Sequence, residues 1–420
     1  MAKVKSKWIC QQCGYETAGY LGKCPECGSW ASFVEEVQNS LKPQNISPQG
    51  IANDTKPSLI NDIHIGEEVR VSTNISEFDR ILGGGLVQGS LVLIAGDPGI
   101  GKSTILLQTS GELCKNGQKI LYVSAEESAS QLKLRANRLG INSESLYIYP
   151  QTNLESIRQQ ITEIQPDTIV IDSIQAIYSQ TISSSAGSVS QIRECCNILM
   201  QIAKTQNITV IVIGHVTKDG NIAGPKILEH MVDAVISFEG DKYKSYRMLR
   251  SMKNRFGNTS EVGIFEMQSH GLVEVKNPNE LFLNERSQDA IPGSAIIVTN
   301  EGTRPLLVEI QALVGTTPYP TPRRVTNGVD NSRLLQILAV LEKRVGLNLS
   351  KQDVYVNVMG GIEIDEPSAD LGIAISIATC ARDVVVDPQT VIIGEIGLSG
   401  EIHPVNNIEK RLNEAVTSGF

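Results

Sequence analysis

The sequence predicts an α/β protein in which a phosphate-binding domain follows a small metal-binding segment and precedes an α+β domain. Three observations lead to this prediction. Four N-terminal cysteines form two Cys-x2-Cys pairs. Short β-branched runs alternate with helical patterns from about Val69 to Val275, which is typical of a mostly parallel sheet with helices on both faces. Beyond a polar hinge, strand and helix patterns no longer alternate in this way.

Periodicity places the individual elements. In the alternating region, strands are predicted at Leu91–Ala95, Ile120–Ser124, Thr168–Asp172 and Thr209–Gly214. Helices are predicted there at Ser103–Cys114, Ser128–Leu139, Leu154–Gln165 and Ser190–Thr205. In the last third, strands are predicted at Leu306–Val314 and Val354–Val358, and helices at Ser332–Val345 and Ala369–Arg382.

Composition changes set the expected domain boundaries. A length of 420 residues suggests two or three domains. Residues 38–62 are rich in Asn, Pro, Ser and Gln and are typical of a linker. We expect a zinc finger at 1–33, a linker at 34–68, an ATPase domain at 69–276, a hinge at 277–290 and an α+β domain at 291–420.

Charge and hydropathy exclude several classes of protein. The content of 41% apolar and 20% charged residues rules out wholesale disorder. A formal net charge of −9 argues against an all-over nucleic-acid coat but leaves room for a local basic groove. The longest aliphatic run of the nucleotide-binding region, Leu91–Ala95, is far too short to span a bilayer, and cysteines stand where a secretory signal would have its apolar core. We expect a cytoplasmic protein without a membrane partner.

The four N-terminal cysteines predict a metal centre. Cys10-x2-Cys13 and Cys24-x2-Cys27 are separated by ten residues, and two such knuckles complete a tetrahedral sulfur site for Zn²⁺. Gly14 and Gly28 follow the knuckles and permit the left-handed turn that such loops need. The alternatives are two disulfides or four free thiols. Because four thiolates leave no open position, the predicted role of the ion is structural.

A phosphate-binding loop follows the first predicted strand of the alternating region. It consists of Gly96, Asp97, Pro98, Gly99, Ile100, Gly101, Lys102, Ser103 and Thr104, and it matches G-x-x-x-x-G-K-[ST] between a strand and a helix. Its backbone N–H groups would converge on phosphate oxygens at a helix N-terminus. Lys102 would reach the β and γ phosphates of ATP, and the Ser103 hydroxyl would ligate Mg²⁺.

Acidic residues at two strand ends complete the predicted catalytic set. Asp172 ends Thr168–Asp172 and is predicted to hold the magnesium shell with Ser103. Glu126 follows Ile120–Ser124 and is the first choice to orient the attacking water, although it could instead be a carboxylate that favours a helix dipole. His215 ends Thr209–Gly214 and is either a nucleotide sensor or a structural histidine.

A basic run suggests a contribution across a subunit boundary. Lys242 to Arg255 contains six cations and no acid. Lys253 and Arg255 stand at alternate positions before Gly257, so from a strand they would point the same way and could reach a neighbour's γ-phosphate. The alternative, a solvated face of an edge hairpin, suits Lys242 and Lys244.

Together these motifs resemble the bacterial RadA (Sms) family of DNA repair proteins. The resemblance rests on the knuckles at 10–27, the segment Leu82–Gly89, the phosphate-binding loop, Gly214–Lys218 and Lys253–Gly257, in that order. It implies a RecA-like ATPase core, a hexameric ring, a RecA-type recombinase partner and ATP-driven branch migration on single-stranded or branched DNA. It also implies that Lys253 and Arg255 complete the ATP site in trans, and that Lys218 and Lys226 face a DNA channel.

The C-terminal domain resembles the proteolytic domain of Lon, which uses a Ser–Lys dyad. Ser368 lies at the position of that nucleophile, whereas Glu409 is expected at the position of the lysine, with Lys410 beside it. We therefore expect a scaffold or DNA-binding surface. Where the chain ends, at Phe420, the Lon-like fold is expected to continue, which suggests truncation or a different closure. The candidate phosphate contacts are Arg304, Arg323, Arg324 and Arg333.

Two other functions fit parts of the sequence. An ATP-dependent peptidase is suggested by Ser368 and opposed by Glu409. An ATP-driven switch resembling KaiC is suggested by the paired acids Glu126 and Glu127, and it is opposed by the cysteine knuckles and the single phosphate-binding loop.

Overall fold

Residues 5–12, 14–38, 69–215, 227–240, 246–259, 261–283 and 291–420 are described by a computed structural model of the protein. The chain divides into two units, Met1–Glu274 and Val275–Phe420. The first contains a small three-stranded sheet and a large mixed sheet, and the second contains a five-stranded sheet. The α/β class, the N-terminal metal-binding segment and the C-terminal α+β domain that the sequence predicts are confirmed.

The N-terminal segment is a three-stranded antiparallel ribbon. Its strands are β1 (Lys5–Cys10), β2 (Glu16–Thr17) and β3 (Phe33–Gln38), with β1 in the centre. Only a few side chains are buried, among them Cys10, Cys24 and Phe33. So small a core is typical of segments that need a disulfide or a metal ion for stability.

The large sheet has the strand order β14-β13-β12-β11-β6-β10-β9-β7-β8. A short pair, β4 (Arg70–Val71) and β5 (Leu86–Val87), precedes it. The strands are β6 (Leu91–Gly96), β7 (Ile120–Ser124), β8 (Leu146–Pro150), β9 (Thr168–Asp172), β10 (Thr209–His215), β11 (Ala234–Glu239), β12 (Tyr246–Asn254), β13 (Val262–Gln268) and β14 (Gly271–Glu274).

Helices cover both faces of this sheet, as predicted. They are α1 (Ser76–Leu82), α2 (Lys102–Lys115), α3 (Ala129–Arg138), α4 (Leu154–Ile164), α5 (Val189–Gln206) and α6 (Ile227–Met231). Along β6, Val92 and Ile94 pack with α2 on one face, whereas Leu91 and Leu93 pack with α5 on the other. Burial on both faces explains why the central parallel strands are mostly apolar and do not alternate between apolar and polar residues. Helix α3 begins with a capping box between Ser128 and Gln131.

One edge of the sheet is antiparallel, which the alternating pattern did not indicate. Strand β11 is parallel to β6, but β12, β13 and β14 follow as an antiparallel meander. Gln268 pairs with Gly271 across a two-residue turn. A parallel pair needs a crossover of a dozen or more residues, so connections of this length impose antiparallel pairing.

The second unit is built on a sheet of order β17-β18-β16-β15-β19. Its strands are β15 (Ser294–Glu301), β16 (Arg304–Thr316), β17 (Arg324–Asn327), β18 (Gln352–Val358) and β19 (Val391–Ile392), with a small hairpin of β20 (Glu395–Ile396) and β21 (Ile402–His403). Its helices are α7 (Pro278–Leu283), α8 (Asn331–Val340), α9 (Asp370–Arg382) and α10 (Ile408–Thr417). The predicted strands and helices of this region are confirmed, and α8 continues as a π-helix over Leu341–Val345.

Both faces of β15 are covered within this unit. Gly372 of α9 approaches Ile297 so closely that a Cβ on Gly372 would lie 2.1 Å from an Ile297 methyl group. On the opposite face, Ile296 and Val298 pack with Ala415 of α10. The packing of α10 brings Arg411 against Ser368, which lies in a short 3-10 helix, Pro367–Ala369, directly before α9.

Candidate ATP site and metal centre

The phosphate-binding loop joins β6 to α2 as the sequence predicts. Lys102 begins α2 and is buried, and its Nζ donates hydrogen bonds to the carbonyls of Gly96 and Asp97, each at 2.8 Å. Burial lowers the pKa of Lys102, and the nearby carboxylates of Asp172 and Asp97 oppose that effect. The ammonium is therefore held inside its own loop by carbonyls that a phosphate can replace.

An arginine from the basic run supports this loop. Arg247, near the start of β12, is buried, and its Nε donates to the carbonyl of Ile100 over 3.3 Å. Ile100 is itself buried. Arg250 pairs with Glu239 at 3.4 Å. Part of the basic run thus holds the domain together internally, and Lys242 and Lys244 lie outside the described residues.

Asp172 lies at the end of β9, where two hydroxyl groups hold its carboxylate. Tyr122 Oη donates to Asp172 Oδ2 over 2.8 Å, and the Ser103 side chain also hydrogen-bonds to this carboxylate. Burial raises the pKa of Asp172, and these two hydrogen bonds partly offset that effect. A carboxylate beside a hydroxyl is an oxygen donor set of the kind that Mg²⁺ takes beside a triphosphate. Ser103 and Asp172 thus fit the predicted magnesium site.

Glu126 follows β7 and is about half exposed, at 47% of its side-chain surface. Ser173 Oγ donates to Glu126 Oε1, and His215 Nε2 lies 3.2 Å from the same oxygen. Burial alone raises the pKa of Glu126, but these hydrogen bonds and the charges of His215 and Lys102 outweigh it, so the pKa lies below its ordinary value. Glu126 is therefore an ionised acceptor at neutral pH.

The strand order brings these side chains together. Strands β10, β9 and β7 are neighbours, so His215, Asp172 and Glu126 lie at adjacent carboxyl ends, at the same edge as the phosphate-binding loop. Ligands of open parallel sheets bind at this edge. The predicted set of Lys102, Ser103, Asp172 and Glu126 is thus assembled in one place, with His215 beside it.

Lys253 and Arg255 lie towards the opposite end of the strands, where the parallel strands β6 and β11 begin. Strand β12 is antiparallel to β11, and Ala234 at the start of β11 pairs with Asn254. Ala234 in turn pairs with Val92, four residues before Gly96 along β6, a distance of about 13 Å at about 3.3 Å per residue. Among the described residues, the hydrogen-bond partners of both side chains lie near this end of the strands and not in the phosphate-binding loop.

Both cations have partners at that edge. Lys253 Nζ donates to the carbonyls of Glu229 and Val232 over 2.6 and 2.9 Å, at the end of α6. Burial and the charge of Arg255 lower the pKa of Lys253. Arg255 Nη1 donates to Asp233 Oδ1 over 3.1 Å, and 52% of the arginine side chain stays exposed.

Three of the four predicted zinc ligands form a cluster. The sulfur atoms of Cys10, Cys24 and Cys27 all lie within 4.8 Å of one another, and the Cys10 and Cys27 sulfurs are 3.7 Å apart. Zn–S bonds of about 2.3 Å in a tetrahedron place two sulfurs about 3.8 Å apart, so the thiolates fit a zinc ion. The turns at Gly14 and Gly28 are left-handed, with φ of 76° and 73°, as predicted. Cys13 lies outside the described residues.

Two of the remaining cysteines are ordinary core side chains. Cys195 and Cys196 of α5 are fully buried, and burial raises the pKa of each thiol to about 12. A thiol in this state is neither a nucleophile nor a metal ligand at neutral pH.

In the C-terminal unit the cation beside Ser368 is Arg411, which corrects the expectation of Glu409 at that position. Glu409 and Lys410 are exposed, whereas Arg411 is 1% exposed and its Nη1 donates to Ser368 Oγ over 3.1 Å. Arg411 also makes a bidentate pair with Glu366, at 2.7 and 2.6 Å. A guanidinium does not deprotonate at neutral pH, so it cannot act as the base that a serine nucleophile needs.

The predicted phosphate contacts of this unit have partners within the unit. Arg333 pairs with Asp370 at 3.2 Å, and Arg324 donates to the carbonyl of Leu349 over 2.8 Å. The guanidinium of Arg323 lies 3.9 Å from the ring centre of Tyr319, and Arg304 donates to the carbonyl of Lys276. Lys218 and Lys226 lie outside the described residues.

Several residues of these sites were missed from the sequence. Tyr122 hydrogen-bonds Asp172, Ser173 holds Glu126, and Arg411 occupies the place given to Glu409. A signal existed for Tyr122, because a tyrosine within a buried strand needs a partner for its hydroxyl. Nothing local marks Arg411, since its contacts depend on how α10 packs.

Three protein families match parts of the chain. Residues 8–35 match a rubredoxin metal binding domain, residues 67–221 match an AAA domain, and residues 326–420 match subunit ChlI of Mg-chelatase. These matches cover the cysteine cluster, the phosphate-binding loop with its acids, and most of the C-terminal unit. Fold and site together define an ATPase with a P-loop core, an N-terminal zinc ribbon and a C-terminal ChlI/Lon-like domain.

Curated relatives match the whole chain. The proteins named DNA repair protein RadA of Bacillus subtilis and Halalkalibacterium halodurans are each 52% identical, over 100% of this chain and 92% of their own lengths. That of Listeria monocytogenes is 51% identical with the same coverage. The chain belongs to the RadA family.

A solved structure of a KaiC-like protein from Pyrococcus horikoshii is also similar to part of the chain. It is 24% identical with a TM-score of 0.42, and the match covers 49% of this chain and 99% of that one.

In the part of the chain that the structure describes, no helix has both the length and the apolar character to cross a membrane.

Proposed function

We propose that this protein is a DNA-dependent ATPase that acts as a motor in recombinational DNA repair and promotes branch migration of recombination intermediates. The ATPase core and membership in a family whose relatives are named DNA repair proteins support a repair role. The proposed cofactors are Mg²⁺ at the ATP site and Zn²⁺ in the ribbon. The proposed partners are single-stranded or branched DNA and a RecA-type recombinase.

The observation that carries the proposal is the placement of Lys253 and Arg255. Both lie towards the end of the strands opposite the phosphate-binding loop. Asn254, between them, is about 13 Å from the level of Gly96 along the strand direction, and 52% of the Arg255 side chain is exposed. A cation so placed can act on a triphosphate only if that nucleotide belongs to another subunit. We therefore propose a homo-hexameric ring in which each ATP lies between a loop of one subunit and an arginine of the next.

Each residue of the site has a role in ATP cleavage. Lys102 exchanges its loop carbonyls for the β and γ phosphates, and Ser103 and Asp172 hold Mg²⁺, which neutralises phosphate charge when bound. Glu126 accepts a hydrogen bond from the attacking water and orients it. His215 contacts Glu126, so a change at the nucleotide can be passed through Glu126 to His215.

The peptidase alternative is not favoured, because Ser368 contacts an arginine that is itself bound to Glu366. A KaiC-like switch differs from a motor in its response to DNA. A switch would hydrolyse ATP at the same rate with and without polynucleotide.

The test is steady-state ATP hydrolysis with and without single-stranded DNA. Native protein is expected to turn over faster with DNA, and the stimulation should fall steeply with salt because phosphate contacts release counterions. Arg255→Ala should lose the stimulated rate, whereas Arg158→Ala, an exposed arginine on α4, should not. A native rate that ignores DNA at low salt would contradict the motor and favour the switch.

A further inference from the structure

A buried aspartate links the proposed arginine finger to the core of its own subunit. Asp233 lies between α6 and β11 and is 2% exposed. Its Oδ2 accepts hydrogen bonds from the backbone N–H of Leu91 over 3.0 Å and from Lys204 Nζ over 2.7 Å. Its Oδ1 accepts from Arg255 Nη1 over 3.1 Å. One buried carboxylate is thus shared by two cations and one backbone amide.

The three partners of Asp233 belong to functionally different elements. Leu91 is the first residue of β6, the strand that ends in the phosphate-binding loop. Lys204 comes from the last turn of α5, and its Nζ also lies 5.9 Å from the ring centre of Phe256. Arg255 adjoins that phenylalanine. Asp233 therefore connects the strand that carries a subunit's own loop to the segment that faces a neighbour.

The rest of the segment 253–257 is fixed by other contacts. Asn254 Nδ2 donates to the carbonyl of Leu82 over 3.1 Å, and Arg70 Nη2 donates to that of Phe256 over 2.5 Å. Lys253 contacts carbonyls at the end of α6. Among the described residues, Asp233 is the one acceptor that the Arg255 guanidinium has, so this carboxylate alone sets its direction.

We propose that Asp233 is a positioning residue for ATP hydrolysis in the neighbouring subunit. It holds the Arg255 guanidinium by one nitrogen and leaves the other nitrogens to face the neighbour's phosphates. Through Leu91 it keeps that guanidinium in register with the phosphate-binding loop of its own subunit. The inference rests on the proposed shared ATP site and adds a residue that touches neither nucleotide nor DNA.

The first test is Asp233→Asn, which keeps the size of the side chain and removes its charge. A misdirected finger is expected to lower kcat for DNA-stimulated hydrolysis about 10- to 100-fold. KM for ATP should change less than about twofold, because the loop of each subunit is intact. Asp167→Asn is the matched control, since Asp167 accepts from the Lys119 N–H at the same sheet edge, away from Arg255. The control should keep the native kcat.

A second variant covers the case in which Asp233→Asn does not fold. The single substitution would leave Lys204 beside a neutral amide, whereas the double variant Asp233→Asn/Lys204→Gln restores the charge balance. The double variant should melt close to the native protein and show the same loss of kcat. A native kcat in whichever folded variant is measured would overturn the inference.

Mixing subunits separates positioning from a general structural role. Lys102→Ala subunits lack a working loop but carry an intact Asp233 and Arg255. Combined with Asp233→Asn subunits, they should restore hydrolysis at boundaries where an intact loop meets an intact finger. If Asp233 acted only by stabilising β6 of its own subunit, mixing would restore nothing, and the inference would be wrong.

Arg255→Ala, measured in parallel, distinguishes this inference from the proposed function. If Arg255→Ala is inactive and Asp233→Asn is normal, only the positioning role fails. If Arg255→Ala keeps the full stimulated rate, the shared ATP site fails and the positioning role fails with it. Loss of kcat in both variants, each restored by Lys102→Ala subunits, supports both.

Discussion

Each unit of the chain places a hydroxyl, a cation and a carboxylate together, yet the two sets differ in what their hydrogen bonds leave available. In the ATPase unit, Lys102 is held by two carbonyls of its own loop, beside Ser103 and Asp172. In the C-terminal unit, Arg411 is held by both oxygens of Glu366, by carbonyls and by Ser368. The first cation can exchange its partners for a ligand, and the second cannot.

The difference lies in the strength of the partners rather than in the residue types. Loop carbonyls carry no net charge, so a triphosphate competes with them successfully for an ammonium. A buried bidentate carboxylate already neutralises a guanidinium, and replacing it would leave an unpaired charge in the interior. A catalytic site can therefore be recognised by charged side chains that are held by neutral groups, because a charged ligand can replace those groups.

Of the sites compared, the zinc ribbon depends most on its ligand. Removing the metal should therefore have the largest effect on folding. Structural zinc contributes about 10 kcal/mol or more to folding in small domains. Chelation or Cys10→Ser should therefore unfold the ribbon while the ATPase core stays folded. Both tryptophans of the protein, Trp8 and Trp30, lie in the ribbon, so their fluorescence reports its unfolding alone. Cys114→Ser should leave the spectrum and the zinc content unchanged.

Removing Lys102, the cation that a ligand can reach, should abolish ATP hydrolysis without unfolding the protein. Lys102→Ala is expected to lower kcat for ATP hydrolysis by about a hundredfold or more, because no other cation of the loop reaches the phosphates. The melting temperature should hold or rise, since the variant no longer buries an ammonium. Lys115→Ala, at the exposed end of the same helix, is the matched control and should keep the native rate. Full hydrolysis by Lys102→Ala would remove the site assignment.

The Glu366–Arg411 site of the C-terminal unit should respond in the opposite way. Its disruption should lower the stability of that unit and leave ATP turnover unchanged. Glu366→Gln leaves the buried Arg411 charge without its counterion, at a cost of about 3–5 kcal/mol to the C-terminal unit. Hydrogen exchange of α10 would report that loss. Glu363→Gln, an exposed acid three residues away, should leave the exchange unchanged. Protection of α10 that survives Glu366→Gln would mean that the pair does not hold the helix.

The same ion pair predicts that the C-terminal unit loses stability at acid pH. Burial alone raises the pKa of Glu366, but hydrogen bonds from Arg411, Ser368 and the Asn300 amide lower it below its ordinary value of 4.5. A lowered folded-state pKa gives stability that is present above pH 4.5 and lost as the pH falls through the folded value. Protection of α10 in the native protein should fall across that window. In Glu366→Gln it should be lower throughout and change less with pH.

Ser368→Ala should have the smallest effect of these substitutions. The hydroxyl accepts a hydrogen bond from Arg411 and donates one to Glu366, so its loss is expected to cost about 1–2 kcal/mol. Neither native protein nor the variant should cleave casein or peptides. Native cleavage that disappears in Ser368→Ala would reverse the contrast between the two units and revive the peptidase function.

Sequence predicted the features that depend on residues close together along the chain. It missed those that depend on which distant segments pack against each other. The phosphate-binding loop and the strand-end acids are local patterns, and neighbouring strands then place Asp172 and Glu126 together. The meander after β11 was missed, because periodicity marks a strand but not its partner. Arg411 was missed for a similar reason: it lies 43 positions after Ser368 along the chain (411 − 368), and only the packing of α10 shows which residue of the helix faces the serine.

The measurement that tests the central claim most directly is complementation between two inactive variants. Lys102→Ala subunits lack the open cation of the loop, and Arg255→Ala subunits lack the half-exposed cation at the far edge of the sheet. If adjacent subunits share each ATP, a mixture of the two should recover part of the native DNA-stimulated rate, because some boundaries pair an intact loop with an intact arginine. Zero recovery over all mixing ratios, in samples shown to form mixed oligomers, would contradict the shared site.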